Sequence, residues 1–274
     1  MVTRIISGII LLPIVVFFVV AGGLPLKLFT LFLSLVGMNE FYKAFGHDKK
    51  ALCVLGYTCS FVYVVFAEFF INENNMFNVL VSIYLVTLLI TMVVFHNDVN
   101  IKDIIITFFG FFYVSFLISH IYLVREFTYG NFFVWLIFIS AFGCDTGAYF
   151  TGMAFGKHKL IPTLSPKKTV EGAVGGVVIA TLIAFVYGFL IEKYFSLEGV
   201  NTVALCIITG ILGSMLSQIG DLSASAIKRY VGIKDYGNLI PGHGGILDRF
   251  DSVLFTAPVV YYIMLFLIEV KVIV

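Results

Sequence analysis

Residues 202–231 read TVALCIITGILGSMLSQIGDLSASAIKRYV. The first part of this run is apolar or small enough to lie in hydrocarbon, and no proline interrupts it. As a helix it is about 45 Å long, against about 30 Å for the apolar core of a bilayer. Its last turns must therefore project into water, or the helix must tilt strongly. Ser214, Ser217, Gln218, Asp221, Ser225 and Lys228 recur at steps of three and four, which places them in one polar stripe. The stretch predicts a membrane-crossing helix with its ionisable groups gathered at one end.

The rest of the chain has the same character. Its 274 residues are 60% hydrophobic and 12% charged, with a mean hydropathy of +1.05. Soluble domains are about 45–50% apolar and about 25% charged. The apolar runs are long and continuous rather than alternating, which excludes a β-barrel. Glycine, asparagine and charge clusters divide them into about nine spans: 4–22, 25–45, 51–71, 77–96, 104–124, 131–152, 166–194, 202–231 and 250–270. The expected fold is an all-α, polytopic integral membrane helical bundle, with Pro13 kinking the first span. The start superficially looks like a signal peptide, but the spans that follow at once favour an uncleaved first helix. Cys53, Cys59, Cys144 and Cys206 lie in or beside apolar runs without metal-ligand spacing, and read as small buried hydrophobes.

Nine alternating spans put thirteen Lys and Arg residues on one side and four (Lys27, Arg125, Lys193, Lys271) on the other, together the chain's 17. The positive-inside rule then predicts a cytoplasmic N-terminus and an external C-terminus. It also places both long polar loops, 153–169 and 232–249, in the cytoplasm, where nucleotides are. Residues 1–130 read as a scaffold with short loops and lipid access. Residues 131–274 read as the half that carries the chemistry, and no internal repeat links the two.

Within that second half the charges concentrate in 225–251, which holds Lys228, Arg229, Lys234, Asp235, His243, Asp248, Arg249 and Asp251. A membrane protein keeps so many ionisable groups together where water, a metal or a charged substrate compensates them. Asp221 reads as a metal-binding carboxylate on a polar pocket floor, or more plainly as half of an ion pair between helices. Asp248 and Asp251 open the last helix, where a carboxylate also favours the helix dipole. Three apart, they can share a cation site with Asp221, and hard oxygen ligands suit Mg²⁺. Gly244 and Gly245 let backbone approach a phosphate, and the helix N-terminus beyond them offers N–H groups; a plain tight turn reads the same way. His243 can polarise a phosphate oxygen, shuttle a proton or brace the loop.

A second cluster runs from Asp145 to Gly172. Ser165 and Pro166 fit an N-cap and first helical position. Lys167 and Lys168 would then oppose the dipole of that helix, which makes sense if an anion sits there in use. A basic patch that attracts anionic lipid is the plainer reading. Gly172, Gly175 and Gly176 look like close helix packing.

Taken together, these residues resemble the phosphatidate cytidylyltransferase family, also called CDP-diacylglycerol synthase. The family's C-terminal signature runs S-x-aliphatic-K-R-x4-K-D-x-small-x2-aliphatic-P-x-H-G-G-aliphatic-x-D-R-x-D. It is matched from Ser225 through Lys228, Arg229, Lys234, Asp235, Gly237, Pro241, His243, Gly244, Gly245, Asp248 and Arg249 to Asp251. Asp145 to Gly156 and Ser165 to Gly172 are similar to the family's D-x2-AY-x2-G-x2-FG and SP-K/R-K-T/S-x-EG segments. The resemblance implies transfer of CMP from CTP to phosphatidic acid, giving CDP-diacylglycerol and pyrophosphate with a divalent metal. Asp221 and Asp248 would hold Mg²⁺, with room for a second cation through Asp145 or Asp251. Lys228, Arg229, His243 and Arg249 would act on the reacting phosphates. Ser165, Lys167, Lys168, Thr169, Ser225, Lys234, Gly244 and Gly245 would bind substrate. The expected partners are CTP, phosphatidic acid and the bilayer, with no nucleic acid and a homodimer left open; the expected site is a bacterial cytoplasmic membrane.

Two rivals remain. A CTP-dependent polyprenol-type lipid kinase resembles the C-terminal half, but the full 225–251 signature argues against it. A transporter predicts ionisable groups near the bilayer midplane and repeated architecture. Glu40 and Glu68 are the exceptions to the clustering here, and both lie near span ends, where they can snorkel or pair.

Overall fold

The computed structural model describes residues 2–47, 49–72, 75–195, 197–242 and 244–269. Helix α1 (Val2–Ala21) passes through Pro13 without ending. Gly22, at φ +61°, turns the chain into α2 (Gly23–Ala44). Next come α3 (Lys50–Val65), α4 (Ala67–Asn72) and α5 (Met76–Val94). α6 (Ile101–Glu126) starts at a reciprocal cap. Asn100 Oδ1 accepts the Lys102 and Asp103 amides, and Asp103 Oδ2 accepts the Asn100 amide at 3.0 Å. α7 (Gly130–Phe155) leads into a two-stranded hairpin, β1 (Lys159–Ile161) and β2 (Ser165–Thr169). α8 (Val170–Phe195), α9 (Thr202–Tyr230) and α10 (Leu247–Met264) complete the order.

The nine runs read from the sequence fall on these helices, with α3 and α4 sharing the third. Among the described residues seven helices are long and apolar enough to cross a membrane. Ile9–Ala21 and Lys50–Val65 are apolar but shorter.

One run begins elsewhere than expected. Ser165 and Pro166 do not cap a helix; they lie in β2, antiparallel to β1 with Lys159 opposite Thr169 and Ile161 opposite Ser165. A proline lacks the amide a ladder needs, but a two-stranded hairpin leaves each strand an outer edge where none is required. The helix starts four residues later because Thr169 is the better cap, its Oγ1 accepting the Gly172 amide at 3.1 Å. Glu171 then clips the preceding turn to the helix by accepting the Lys157 and His158 amides at 3.1 and 3.2 Å.

The chain forms two compact units, one of residues up to 123 with 231–249, the other of 124–230 with 250 onward. The loop 231–249, grouped by sequence with the C-terminal half, thus packs with the N-terminal helices, and α10 begins in the first unit and continues in the second. An aromatic cluster fills part of the first unit, where Tyr63 meets Phe77, Phe111 and Phe116 at 5.6, 5.7 and 5.8 Å between ring centres. In the second unit α7 and α8 approach through glycines: a Cβ on Gly172 would fall 2.8 Å from the Ala148 carbonyl oxygen, and one on Gly176 2.8 Å from that of Cys144. All four cysteines are free.

Candidate active site

The second unit assembles one charged cluster. The hairpin presents Lys167 and Lys168 beside α9, and Lys168 Nζ forms an ion pair with Asp221 Oδ2. The Ser225 hydroxyl, one turn along α9, points at Asp221 Oδ1 across 3.5 Å. Asp221 does make an ion pair, as the plainer reading held, but its partner lies on the hairpin rather than on another helix. Both side chains keep about a quarter of their surface exposed, at 28% and 26%, so the pair is open to exchange.

Upstream in the same polar stripe the contacts serve packing. Gln218 Nε2 donates to the Ala173 carbonyl at 2.9 Å, tying α9 to α8, and Ser214 and Ser217 are fully buried. Gly220 lets α10 close in: a Cβ there would lie 2.6 Å from the Asp251 carbonyl oxygen. Asp251 consequently feels the charges of Asp221, Lys228 and Asp145. Ser252 donates to Asp145 Oδ2 at 3.4 Å. A cavity of about 420 Å³ opens here, lined by Asp145, Lys167, Lys168, Thr169 and Asp221 together with apolar Tyr149, Met153 and Leu160. Arg229 is exposed in the last turn of α9.

The first unit holds a cluster of its own in the 231–249 loop. Asp248 is 6% exposed, and its Oδ2 accepts the Tyr236 amide at 2.7 Å and the Gly245 amide at 3.0 Å. Gly244, at φ +85°, is where the chain reverses, and its carbonyl accepts the Ile240 amide at 2.9 Å. A second cavity, about 530 Å³, is lined by Lys234, Asp235, Asn238, Arg249, Pro241, Gly242 and Gly244. The Arg249 Nε beside it is buried without a hydrogen-bond partner among the described residues. His243 lies outside the described residues.

The amides of the α10 N-terminus, read from sequence as free for a phosphate, are put to another use. Gly245 donates to Asp248, while Ile246 and Leu247 donate to Glu40 Oε1 and Oε2, each at 2.9 Å. Glu40, which the sequence places near a span end where it can snorkel or pair, is 5% exposed and 206 residues from Ile246 in sequence. Nothing local in the chain announces that contact. Glu68 behaves as expected, pairing with Lys27 at 2.7 Å and hydrogen-bonding the Tyr122 hydroxyl.

Among the described residues no three His, Cys, Asp or Glu side chains converge tightly enough to hold an ion by themselves. Magnesium does not need them to. It keeps waters and takes one or two carboxylates, with substrate phosphates completing its shell. The hard oxygens of Asp221 and its neighbours fit such an ion arriving with a nucleotide.

A lysine-bearing hairpin paired with a carboxylate on a long apolar helix in one unit, and a glycine-rich turn leading into D-R-x-D in the other, mark a membrane protein with two charged clusters. Residues 2–267 match the cytidylyltransferase family, and the chain belongs to it. Similar proteins include the phosphatidate cytidylyltransferase of Bacillus subtilis (strain 168), 31% identical over 95% of this chain and 96% of its own length. The phosphatidate cytidylyltransferase of Staphylococcus saprophyticus is 33% identical over 96% and 97%. That of Haemophilus influenzae is 41% identical over 51% of this chain and 48% of its own.

Proposed function

We propose that the protein transfers CMP from CTP to phosphatidic acid, forming CDP-diacylglycerol and releasing pyrophosphate. The observation that carries this reading is the unbroken 225–251 signature in a chain similar along nearly its whole length to proteins of that name. A phosphate oxygen of phosphatidate attacks the α-phosphorus of CTP, and the bond from that phosphorus to the bridging oxygen breaks. The nucleophile is already ionised, so catalysis is the holding of two polyanions in line and the neutralising of charge as it shifts.

Asp221 and Asp248 would hold Mg²⁺, which when bound screens the triphosphate and polarises the α-phosphoryl group. Asp145 or Asp251 would serve a second cation. Lys168 forms an ion pair with Asp221; an arriving phosphate offers it a stronger partner. Lys167, Lys228, Arg229 and Arg249 steady the phosphates and stabilise departing pyrophosphate. The acyl chains stay in the bilayer with the phosphate at its cytoplasmic surface, and the protein sits N-terminus inward in a bacterial cytoplasmic membrane.

The test is to incubate purified protein, phosphatidic acid and Mg²⁺ with CTP labelled at either phosphorus. Label from the α-position should appear in lipid and label from the γ-position in pyrophosphate. Lipid carrying γ-label instead makes the protein a lipid kinase and ends this reading.

A further inference from the structure

We infer that Glu40 is a positioning residue for the nucleotide-handling loop, acting through the backbone that carries Asp248 and Arg249. The inference rests on the cytidylyltransferase reading above. Glu40 leaves α2 as a carboxylate 5% exposed, and each oxygen takes one amide of the α10 N-terminus, Ile246 to Oε1 and Leu247 to Oε2, both at 2.9 Å. The fit is close on both sides. A Cβ on Gly245 would lie 2.5 Å from the carboxylate and one on Gly237 2.7 Å from its Oε1. The two glycines thus bring separate parts of the loop onto one side chain.

The next residue after those two amides is Asp248, which returns the favour by accepting the Tyr236 and Gly245 amides. Glu40 and Asp248 therefore hold the amides of Tyr236, Gly245, Ile246 and Leu247 from two directions, and Arg249 follows directly on the fixed helix. A serine or threonine cap would satisfy helix amides without burying a charge. Two charge-assisted bonds are stiffer and more directional than one neutral cap. Stiffness at this point matters if Asp248 and Arg249 must meet a charged ligand with little reorganisation.

The decisive variant is Glu40→Gln in the full chain, purified in detergent. It is isosteric, but its NH₂ faces one of the two amides instead of accepting it. Three quantities are read: the thermal unfolding midpoint, binding of labelled CTP with Mg²⁺ by equilibrium dialysis without lipid, and KM and kcat with phosphatidate varied. The expected result is a folded variant that binds CTP about 10-fold or more weakly, as loss of supporting partners at such sites does, with KM for phosphatidate unchanged. Folded Glu40→Gln with wild-type CTP binding and kcat overturns the inference.

If that variant does not fold, Gly237→Ala keeps Glu40 and crowds its Oε1, and should show the same split more mildly. Wild-type CTP binding in folded Gly237→Ala, or failure of both variants to fold, overturns the positioning role in favour of a structural one. A wild-type protein that binds no CTP overturns the functional reading itself and this inference with it.

Discussion

Asp221 and Asp248 carry the same charge, yet their surroundings differ in kind. Asp248 spends an oxygen on two backbone amides, and those partners cannot leave unless the loop unfolds. Asp221 meets a lysine ammonium and a serine hydroxyl, and side chains can swing away. The comparison separates a carboxylate fixed by the fold from one held ready for exchange. Desolvation explains the division: Asp248 is nearly inaccessible and must be satisfied internally, whereas the Asp221 pair is part-exposed and costs little to open.

The largest effect should come from removing each carboxylate in turn. Asp221→Ala is expected to lower kcat about 100-fold or more while leaving the unfolding midpoint in detergent nearly unchanged, because an exposed pair contributes about 0–1 kcal/mol. Asp248→Ala should match that kinetic loss and also destabilise the fold by about 1–3 kcal/mol for each amide left unpaired. Equal melting points for the two variants would erase the distinction.

Next in size is Lys168→Ala, for which the comparison demands opposite signs in two measurements. With the competing ammonium gone, Asp221 should bind Mn²⁺ more tightly in the absence of nucleotide, read by the loss of free-ion EPR signal. Turnover should nevertheless fall about 10-fold or more, since the proposed reaction puts the lysine on the phosphates. Weaker Mn²⁺ binding would mean that Lys168 organises Asp221 rather than competing for it. Lys167→Ala should be milder. Lys167 is exposed on the cavity rim, so KM for one anionic substrate should rise several-fold with yield of folded protein unaltered. Unchanged KM with poor yield would make the lysine a lipid anchor instead.

Most of the architecture was legible because hydrocarbon leaves backbone so few options. Glycine and charge clusters marked the helix ends to within a few residues, and Gly172, Gly175 and Gly176 of α8 announced a close crossing. The charged residues of 145–172 and 225–251 stand out in an apolar chain, and the Lys168–Asp221 pair joins two such stretches. Two features were hidden for physical reasons. The β-hairpin at 159–169 was masked by Ser165-Pro166, a pair that fits a helix start locally; Thr169 and Glu171 win because together they satisfy four donors, the three amides of Lys157, His158 and Gly172 and the His158 ring nitrogen. Glu40 was hidden because its partners are backbone amides, which carry no sequence signal, 206 residues away.

The smallest effect tests whether Thr169 belongs to the fixed class or the exchangeable one. It lines the cavity beside Lys168, which invites a substrate role, but its Oγ1 already accepts the Gly172 amide at 3.1 Å. A cap of this kind contributes about 1 kcal/mol. Thr169→Ala should therefore lower the unfolding midpoint by a few degrees and change kcat by less than about threefold, because the lost bond is the same in ground and transition states. Thr169→Ser restores the hydroxyl and should restore the midpoint. If Thr169→Ala instead leaves the midpoint alone and raises the KM for CTP or phosphatidate about 10-fold, the hydroxyl is turning toward substrate in use. Thr169 would then join Asp221 among the groups that exchange partners, and the fixed region would begin only at Glu171.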